Sequence, residues 1–355
     1  MKKIYIILSI ILILVILTGI GTFVWYKNAL NPINKNSEEK NIITIPEGTG
    51  VSGIANLLEE NKVIKNAFAT KIYCKISGVD NLQAGKYEFV QNEDTPSILA
   101  RIAAGDVVSD EISITFIEGK NIKWYAKEIA KNTNNTEDDV FELLENKEYI
   151  NSLIEKYWFL TDEIKNEDIY YPLEGYLLPD TYTFENKDVS VETIFNVILN
   201  FTEKYLDEYK DKFKYTVHQT LTLASLAELE GKTTEDRAEI IGVFFNRLNK
   251  KMSLGSDVTT YYAFGVDMAE SDLTKKQINT YNPYNTRGPE MSGKIPIGPI
   301  CNMSKSAIEA TLNPTETEAL YFVADKNGKV YFTNTNDEHN AKISELKKAD
   351  LWFTY

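Results

Sequence analysis

Histidine and cysteine are scarce in this 355-residue sequence, which contains two of each. Cys74 and Cys301 lie far apart in the chain and belong to no Cys-x-x-Cys or Cys/His cluster, so neither a disulfide framework nor a zinc motif is indicated. His218 and His339 are too few for a multi-histidine metal site. We therefore predict no metal and no cofactor, and we expect any acid–base chemistry to belong to carboxylates.

Basic residues are also in deficit. The chain has 38 Lys and Arg against 52 Asp and Glu, which gives a formal net charge of −14. Phosphate backbones require a basic surface, so nucleic acid is excluded as a partner. The same charge argues against electrostatic docking onto anionic lipid. The length allows two or three folding units.

Charge is absent from residues 4–26, between Lys3 and Lys27. A helix of this length spans about 35 Å, enough to cross a bilayer, and it closes with the interfacial aromatics Trp25 and Tyr26. The alternative is a cleaved signal peptide, but such a peptide has an apolar core of about 7–15 residues and a small-residue cleavage site, which this sequence lacks. We predict a retained single-pass anchor over residues 1–27.

The flanking residues predict the topology and the reach of the chain. Lys2 and Lys3 favour a cytoplasmic N-terminus, which places the rest of the chain outside the cell membrane. Residues 28–41 are polar and aperiodic and are interpreted as a linker, with an average reach of about 20 Å. The remainder is expected to work close to the membrane.

A strand–turn–helix pattern recurs after this linker. "ITIPEGTGVSGIANLLEEN" (43–61) and "ITFIEGKNIKWYAKEIAKN" (114–132) share apolar offsets around a Glu-Gly turn, and "YEFVQNEDTPSILARIAAG" is a looser copy. The pattern predicts an α+β fold, with a small module at residues 42–108 and a larger α+β domain at 109–355. The small module resembles LysM-like modules, which bind N-acetylated glycans; a spacer without a ligand is the alternative.

Residues 133–220 have a mainly helical pattern, interrupted by "YYPLEGYLLPDTYTFEN". Glu174 and Asp180 lie among its tyrosines, where they could contribute to a sugar-binding groove. A packed loop with buried tyrosine rings is the alternative, and the sequence favours it.

The stretch "LASLAELEG" carries two carboxylates on a predicted helix over residues 217–230. Glu228 and Glu230 point about 200° apart on a helix, so they do not form a catalytic pair. Both helix faces are apolar; Ser225 shares the face of Glu228. Poor solvation raises a carboxyl pKa, as a general acid requires. In the structural alternative, Glu228 pairs with Lys232.

The same alternative pairs Glu230 with Arg237, and periodicity does not choose between the two carboxylates. After a Gly-Lys-Thr-Thr break, Thr234 is the expected N-cap of a second helix.

The segment "LTLASLAELEGKTTEDRAEIIGVFFNRL" closely resembles the signature of the membrane-anchored endolytic murein transglycosylase family (the MltG/YceG-like group). "EGYLLPDTYTF", "LGSDVTTYYAFG", "YNPYNTRG", "IPIGPI" and the segment around "DEHN" match as well, so the resemblance covers essentially the whole chain. It implies that Glu228 is the catalytic acid and that Glu230 supports the site. Further positions implied to shape a glycan groove are Asn246, Asp257, Thr259, Tyr284, Asn285, Thr286 and His339.

The chain departs from the family pattern at two places. Arg287 stands where an aromatic residue is common, and "KIPIGPICNMS" replaces a segment richer in Gly and Pro, with Ser304 at one variable position. These departures affect the expected contacts to individual sugars. They do not affect the expectation that Glu228 is the acid.

The resemblance implies a lyase that cuts MurNAc–GlcNAc bonds within nascent peptidoglycan strands and leaves 1,6-anhydroMurNAc ends. Its expected partners are the glycan strands and a peptidoglycan polymerase. Two alternatives remain at this point. A hydrolase would use Glu174, Asp180 or Asp257 as a second carboxylate, and a scaffold would bind glycan without cutting it.

Overall fold

The computed structural model describes residues 2–352, which divide between Asp110 and Glu111 into two compact units. Each unit mixes helices with short antiparallel ribbons, so the predicted α+β class is confirmed.

The first unit begins with helix α1 (Lys2–Ala29). Residues 3–29 of this helix are long and apolar enough to cross a membrane, and none of the most apolar stretch is buried against the rest of the protein. A two-stranded ribbon follows, made of β1 (Lys40–Ile45) paired antiparallel with β2 (Gly85–Val90), with Lys40 opposite Val90 and Ile45 opposite Gly85.

Helices α2 (Val51–Glu60), α3 (Ala67–Ser77) and α4 (Thr95–Ala104) complete the first unit. Alternate residues of the two strands face these helices, because side chains of a strand point to opposite faces in turn. The resulting core contains Ile43, Ile45, Ile54, Leu58, Tyr87, Phe89, Ile98 and Ile102.

The segment predicted as a linker is packed against this unit over part of its length. Ala29 and Leu30 are buried against Ala69 of α3. The backbone carbonyl of Leu30 accepts a hydrogen bond from the Thr95 amide at 3.0 Å, and the Asn34 amide donates to the Gln91 carbonyl at 3.1 Å. The side chains of this segment are polar and aperiodic, as the sequence shows. Backbone hydrogen bonds nevertheless hold the segment in place, and such bonds leave no periodic pattern in the sequence.

The predicted strand–turn–helix repeat is present as local structure. In the second unit, β3 (Ile112–Thr115) leads into α5 (Ile122–Asn132) as β1 leads into α2. Both Glu-Gly turns place the glycine at positive φ, +76° at Gly48 and +74° at Gly119, where a side chain is strained. The copies pair differently, however, because β3 pairs with β4 (Thr181–Phe184) from much later in the chain.

Helices α5, α6 (Glu137–Glu145), α7 (Lys147–Lys156) and α8 (Val191–Asp207) enclose the larger core of the second unit. The tyrosine-rich interruption passes through this core, with a short 3₁₀ turn at Asp162–Lys165 before it. Tyr176 and Tyr182 are buried there, and their hydroxyls bond to His218 Nδ1 and to the Leu178 carbonyl, each at 2.7 Å. The packed-loop interpretation is thus confirmed for these two rings.

Helix α9 (Val217–Glu230) is buried on every side from Thr220 to Ala227. The prediction of this helix is confirmed, with the same first and last residues. It packs against α10 (Thr234–Asn249), α11 (Asp257–Phe264) and α13 (Lys305–Leu312). The short helix α12 (Lys275–Ile278) packs on α11, and the ribbon of β5 (Tyr321–Ala324) and β6 (Val330–Thr333) packs between α10 and α14 (Asn336–Lys348).

Candidate active site

Glu228 lies on the last turn of α9, with an exposed fraction of only 6% for its side chain. One carboxylate oxygen accepts a hydrogen bond from Arg237 Nη2 at 2.9 Å. The other oxygen accepts from the backbone amide of Ser304 at 3.0 Å and from the Ser304 hydroxyl at 2.5 Å. The expectation of a poorly solvated carboxylate is confirmed, but its two oxygens contact charged and polar donors rather than apolar groups alone.

Arg237 reaches Glu228 because the chain reverses at Gly231. The N-cap of α10 is Thr233, one residue before the predicted Thr234, and its hydroxyl accepts from the Asp236 amide in a capping box. This start of α10 places Arg237 on the turn that faces α9. Its Nε donates to the Gly231 carbonyl at 3.1 Å and its Nη1 to the Ser306 hydroxyl at 2.7 Å.

The ion pairs suggested from helix spacing are therefore wrong. Glu228 pairs with Arg237 across the helix junction, whereas Lys232 donates to the Asn327 carbonyl at 3.3 Å. Helix spacing could not reveal this arrangement, because α9 ends at Glu230, before the i+4 position of Glu228 is reached. A basic residue one turn into the next helix was the available signal.

Residues 300–304 hold the site together from the opposite side. The Ile300 amide donates to the Ser225 hydroxyl at 3.1 Å, and Ser304 caps α13 through its bond from the Ala307 amide. Between them, Asn302 pairs its backbone with the Gly119–Lys120 turn: the Gly119 amide donates to the Asn302 carbonyl at 2.8 Å. The sequence prediction missed Asn302, and it noted Ser304 only as a variable position.

Glu230 belongs to a separate cluster. Its carboxylate accepts from the Ser256 hydroxyl at 2.6 Å, and burial raises its pKa, assisted by the nearby charge of Asp257. Glu228 and Glu230 thus have different partners, as their separation on the helix predicts.

Several predicted groove positions form a buried network behind Glu230. Thr259 and Thr286 bond to each other through their hydroxyls at 2.8 Å, and Thr286 Oγ1 accepts from the Ser256 amide at 2.9 Å. Asn285 accepts from the Thr260 hydroxyl at 2.7 Å and donates to the carbonyls of residues 277, 278 and 280. These side chains position the loop before residue 288 and do not face solvent.

Other predicted positions lie at the edges of this region. Asp257, half-exposed, forms an ion pair with Arg287. Asn246 donates to the carbonyls of Thr317 and Ala319, at 2.7 and 3.0 Å, and so fixes the irregular segment that leads into β5.

His339 stacks on Tyr321 with ring centroids 5.4 Å apart, and its Nδ1 is buried without a hydrogen-bond partner among residues 2–352. Burial lowers its pKa, and the charges of Arg247 and Arg287 act in the same direction.

Glu174 is a second buried carboxylate, with an exposed fraction of 1%. It accepts from the Ile122 amide at 3.1 Å, the Tyr262 hydroxyl at 3.2 Å and the Asn302 side chain at 3.4 Å. Burial raises its pKa to about 8, so it is largely protonated at neutral pH. Asp180, by contrast, is half-exposed, and its carboxylate bonds to the Thr181 amide at 2.8 Å.

A groove of about 620 Å³ is lined by neighbours of both buried carboxylates, Leu229 beside Glu228 in the chain and Tyr262, which bonds to Glu174. Gly119, Leu229 and Ile300 lie along it, next to the catalytic candidate: a methyl group on Gly119 would be 3.3 Å from Leu229 Cδ2 and 3.7 Å from Glu228 Cγ. Its walls come from α5, α11 and the loop at 265–268. Aromatic rings line it at Trp124, Tyr170, Tyr171, Tyr261 and Tyr262.

Tyr284 supports these rings from behind. It is fully buried, its hydroxyl accepts from the Tyr170 amide at 3.3 Å, and its ring centroid lies 4.8 Å from that of Tyr170 and 5.0 Å from that of Tyr262. Aromatic faces in an open groove, with a shielded carboxylate beside them, are typical of proteins that act on polysaccharide chains.

Comparison with known proteins identifies the family within this class. The sequence model of the YceG-like family matches residues 43–345, and the chain belongs to that family. It is 38% identical over 324 residues to the endolytic murein transglycosylase of Bacillus subtilis (strain 168), covering 90% of this chain and 88% of that protein.

It is also 30% identical over 367 residues to the endolytic murein transglycosylase of Streptococcus pneumoniae (strain D39), which covers 97% of this chain but 66% of the pneumococcal protein. Among solved structures, a yceG-like protein of Listeria monocytogenes is similar, with 36% identity and a TM-score of 0.61, over 86% of this chain and all of that one.

Proposed function

We propose that this chain is a membrane-anchored endolytic murein transglycosylase in which Glu228 is the catalytic acid and then the catalytic base. The observation that carries the proposal is the position of Glu228, shielded from solvent beside Gly119 at the groove, in a chain whose named relatives are endolytic murein transglycosylases. A glycan strand lies along the aromatic walls, and its scissile bond lies over Gly119.

The reaction needs one carboxyl group in two protonation states. Protonated Glu228 donates to the oxygen that links N-acetylmuramic acid to N-acetylglucosamine, and the C–O bond breaks with oxocarbenium character at the muramoyl C1. The muramoyl 6-hydroxyl attacks C1, and its proton returns to Glu228. The product has a 1,6-anhydro ring, and no water is consumed.

The contacts of Arg237 and Ser304 with Glu228 are compatible with both protonation states of its carboxyl group. Once Glu228 has given up its proton, the guanidinium, the Ser304 amide and the Ser304 hydroxyl all donate to the carboxylate. In the protonated state the Ser304 hydroxyl can turn toward Ser306 Oγ, 2.9 Å away, and accept from the carboxyl instead. The same side chain therefore fits both states of the acid.

The hydrolytic alternative requires a second carboxylate that activates water opposite the acid. Glu174 lies behind Tyr262 with its oxygens already occupied, and Asp257 is in an ion pair with Arg287. These contacts favour the muramoyl hydroxyl over water as the nucleophile.

The experiment that tests the acid is the variant Glu228→Gln in the full-length chain. Gln keeps the size of the side chain and cannot give up a proton, so we expect loss of cleavage. Because this change also leaves Arg237 without its charged partner, the variant should be less stable than the wild type, and circular dichroism at the assay temperature checks that it is folded. Uncrosslinked glycan strands are digested, and the ends are identified by mass spectrometry. Cleavage by the variant at the rate of the wild type refutes the role of Glu228; ends heavier by one water identify a hydrolase, and strands that bind without new ends identify a scaffold.

The proposed location follows from α1. The helix anchors the chain in the cell membrane with the N-terminus in the cytoplasm, and the groove therefore meets glycan outside the cell. Because Ala29 and Leu30 are packed against the first unit, that unit lies at the membrane surface. Strands leaving a polymerase in the same membrane are the expected substrate, and cutting them sets strand length.

A further inference from the structure

The groove carries a charge opposite to that of the protein. The chain has a net charge of −14, yet the groove is lined by three lysines, Lys120, Lys123 and Lys127, against a single carboxylate, Asp267. All three lysines are exposed. Local excess of one charge in a groove concentrates ligands of the opposite charge.

None of these lysines forms an ion pair within residues 2–352. By contrast Lys131, on the same helix as Lys123 and Lys127, is paired with Glu128 at 3.1 Å. Within the protein, the charge of Lys123 acts on the buried Glu174, whose pKa it lowers against the larger effect of burial. The buried face of α5, at Tyr125, Ala126 and Ile129, is opposite to Lys123 and Lys127. Three exposed lysines without an ion pair on one wall do not contribute to packing, so we expect their partner to be a ligand in the groove.

The three lysines lie along the groove wall that begins at Gly119. Lys120 directly follows Gly119, the residue beside Glu228, and Lys123 and Lys127 are one helical turn apart on either side of Trp124. A sugar ring stacked on Trp124 would have its substituents within reach of these ammonium groups. Muramoyl residues are the acidic ones of the strand, through the lactyl group or through the carboxylates of the stem peptide.

We propose that Lys120, Lys123 and Lys127 form a carboxylate-binding edge of the groove, which recognises muramoyl residues by their acidic substituents and so selects which bond lies at Glu228. The inference rests on the proposed function, and it adds the chemistry by which the strand is placed in register. Exposed lysine–carboxylate pairs are individually weak, so we expect each lysine to contribute roughly two- to fivefold in kcat/KM.

The test compares three forms of the same uncrosslinked strands, cleaved by the full-length protein in nanodiscs. One form has intact stem peptides, the second has every carboxylate chemically amidated, and the third has the peptides removed so that only the lactyl carboxylates remain. We expect the wild type to cleave the amidated strands about tenfold more slowly at subsaturating concentration.

The variant Lys120→Gln/Lys123→Gln/Lys127→Gln should cleave native and amidated strands at the same rate, and Lys131→Gln, on the same helix, should keep the wild-type preference. Added salt should remove the preference in the wild type. In native strands the lactyl group is joined to the peptide as a neutral amide, and removal of the peptide frees its carboxylate. Cleavage of the peptide-free strands at the native rate therefore shows that the lysines also accept a lactyl carboxylate, and cleavage at the amidated rate shows that they require the peptide carboxylates; both results support the proposal.

Equal rates of the wild type on native and amidated strands, or a preference that survives in the triple variant, would overturn it. Failure of the proposed function is a different result, namely that the wild type makes no anhydro ends on any strand. In that case cosedimentation of the same strands with the wild type and the triple variant decides the role of the lysines.

Discussion

Replacing Glu174 with glutamine should remove a large pH dependence from the stability of the second unit. Glu174 has a pKa of about 8 in the folded protein against 4.5 as its ordinary value, and it is almost fully buried. A group whose pKa is raised on folding stabilises the fold below the unfolded pKa. That stabilisation is lost as the pH rises through the folded pKa.

The magnitude follows from the size of this shift. Each pKa unit corresponds to about 1.4 kcal/mol, so Glu174 alone should lower the free energy of unfolding by about 4 kcal/mol between pH 5 and pH 9. Glutamine has no proton to lose, and it keeps one oxygen to accept from the Ile122 amide. The free energy of unfolding of the variant, relative to that of the wild type, should therefore increase as the pH rises.

The assay is urea denaturation of the full-length protein in detergent at pH 5 to 9, followed by tryptophan fluorescence. Trp124 reports on the surroundings of Glu174, because it lies on α5 two residues beyond Ile122, whose amide donates to that carboxyl. The matched control is Glu167→Gln, an exposed glutamate in the same segment. If the wild type and Glu174→Gln lose stability in parallel as the pH rises, Glu174 is not the buried acid described above.

Three further predictions concern the immediate surroundings of Glu228. Arg237→Gln removes one partner of a buried ion pair, and we expect it to cost about 3–5 kcal/mol of unfolding free energy, measured by denaturation; a cost below about 1 kcal/mol would contradict the pairing. Ser304→Ala removes a hydroxyl bond to the carboxylate, so cleavage should fall about 10- to 100-fold while glycan binding is unchanged; an equal loss of binding would contradict a role in the chemical step. Gly119→Ala introduces a methyl group at positive φ against Leu229, and it should cost about 1 kcal/mol and slow cleavage, whereas Gly48→Ala, in the equivalent turn of the first unit, should leave the cleavage of soluble strands unchanged.

The local part of the fold is largely predictable from the sequence. Helix α9 has the predicted bounds, and the strand–turn–helix repeat is present at all three predicted places, with β2 and α4 forming the looser copy. Each of these features depends on a periodic pattern within about twenty residues. The pairing of β3 with β4 is not predictable from local sequence. Nothing near Ile112 indicates that its partner is Phe184, since that choice depends on how the intervening helices pack.

The candidate site shows the same division. Glu228 could be selected through a resemblance, but its contacts with Arg237 and Ser304 arise from three separate segments that meet only in the folded chain. The family resemblance implies that Asn285 and Thr286 shape the groove, whereas in the structure their side chains fix a loop. Residue identity predicted the chemistry available, and the fold decided which atoms face the groove.

The packing of Ala29 and Leu30 against Ala69 limits how far the first unit can be separated from α1. Extra residues inserted between positions 35 and 38 would only enlarge a surface loop, since the Asn34–Gln91 and Gln91–Glu39 backbone bonds close it at both ends. An insertion intended to move this unit away from the apolar part of α1 must therefore lengthen α1 itself, before Tyr26, because the ring of Tyr26 packs on the same cluster. Any rotation of the helix about its own axis rotates the attached unit by the same angle.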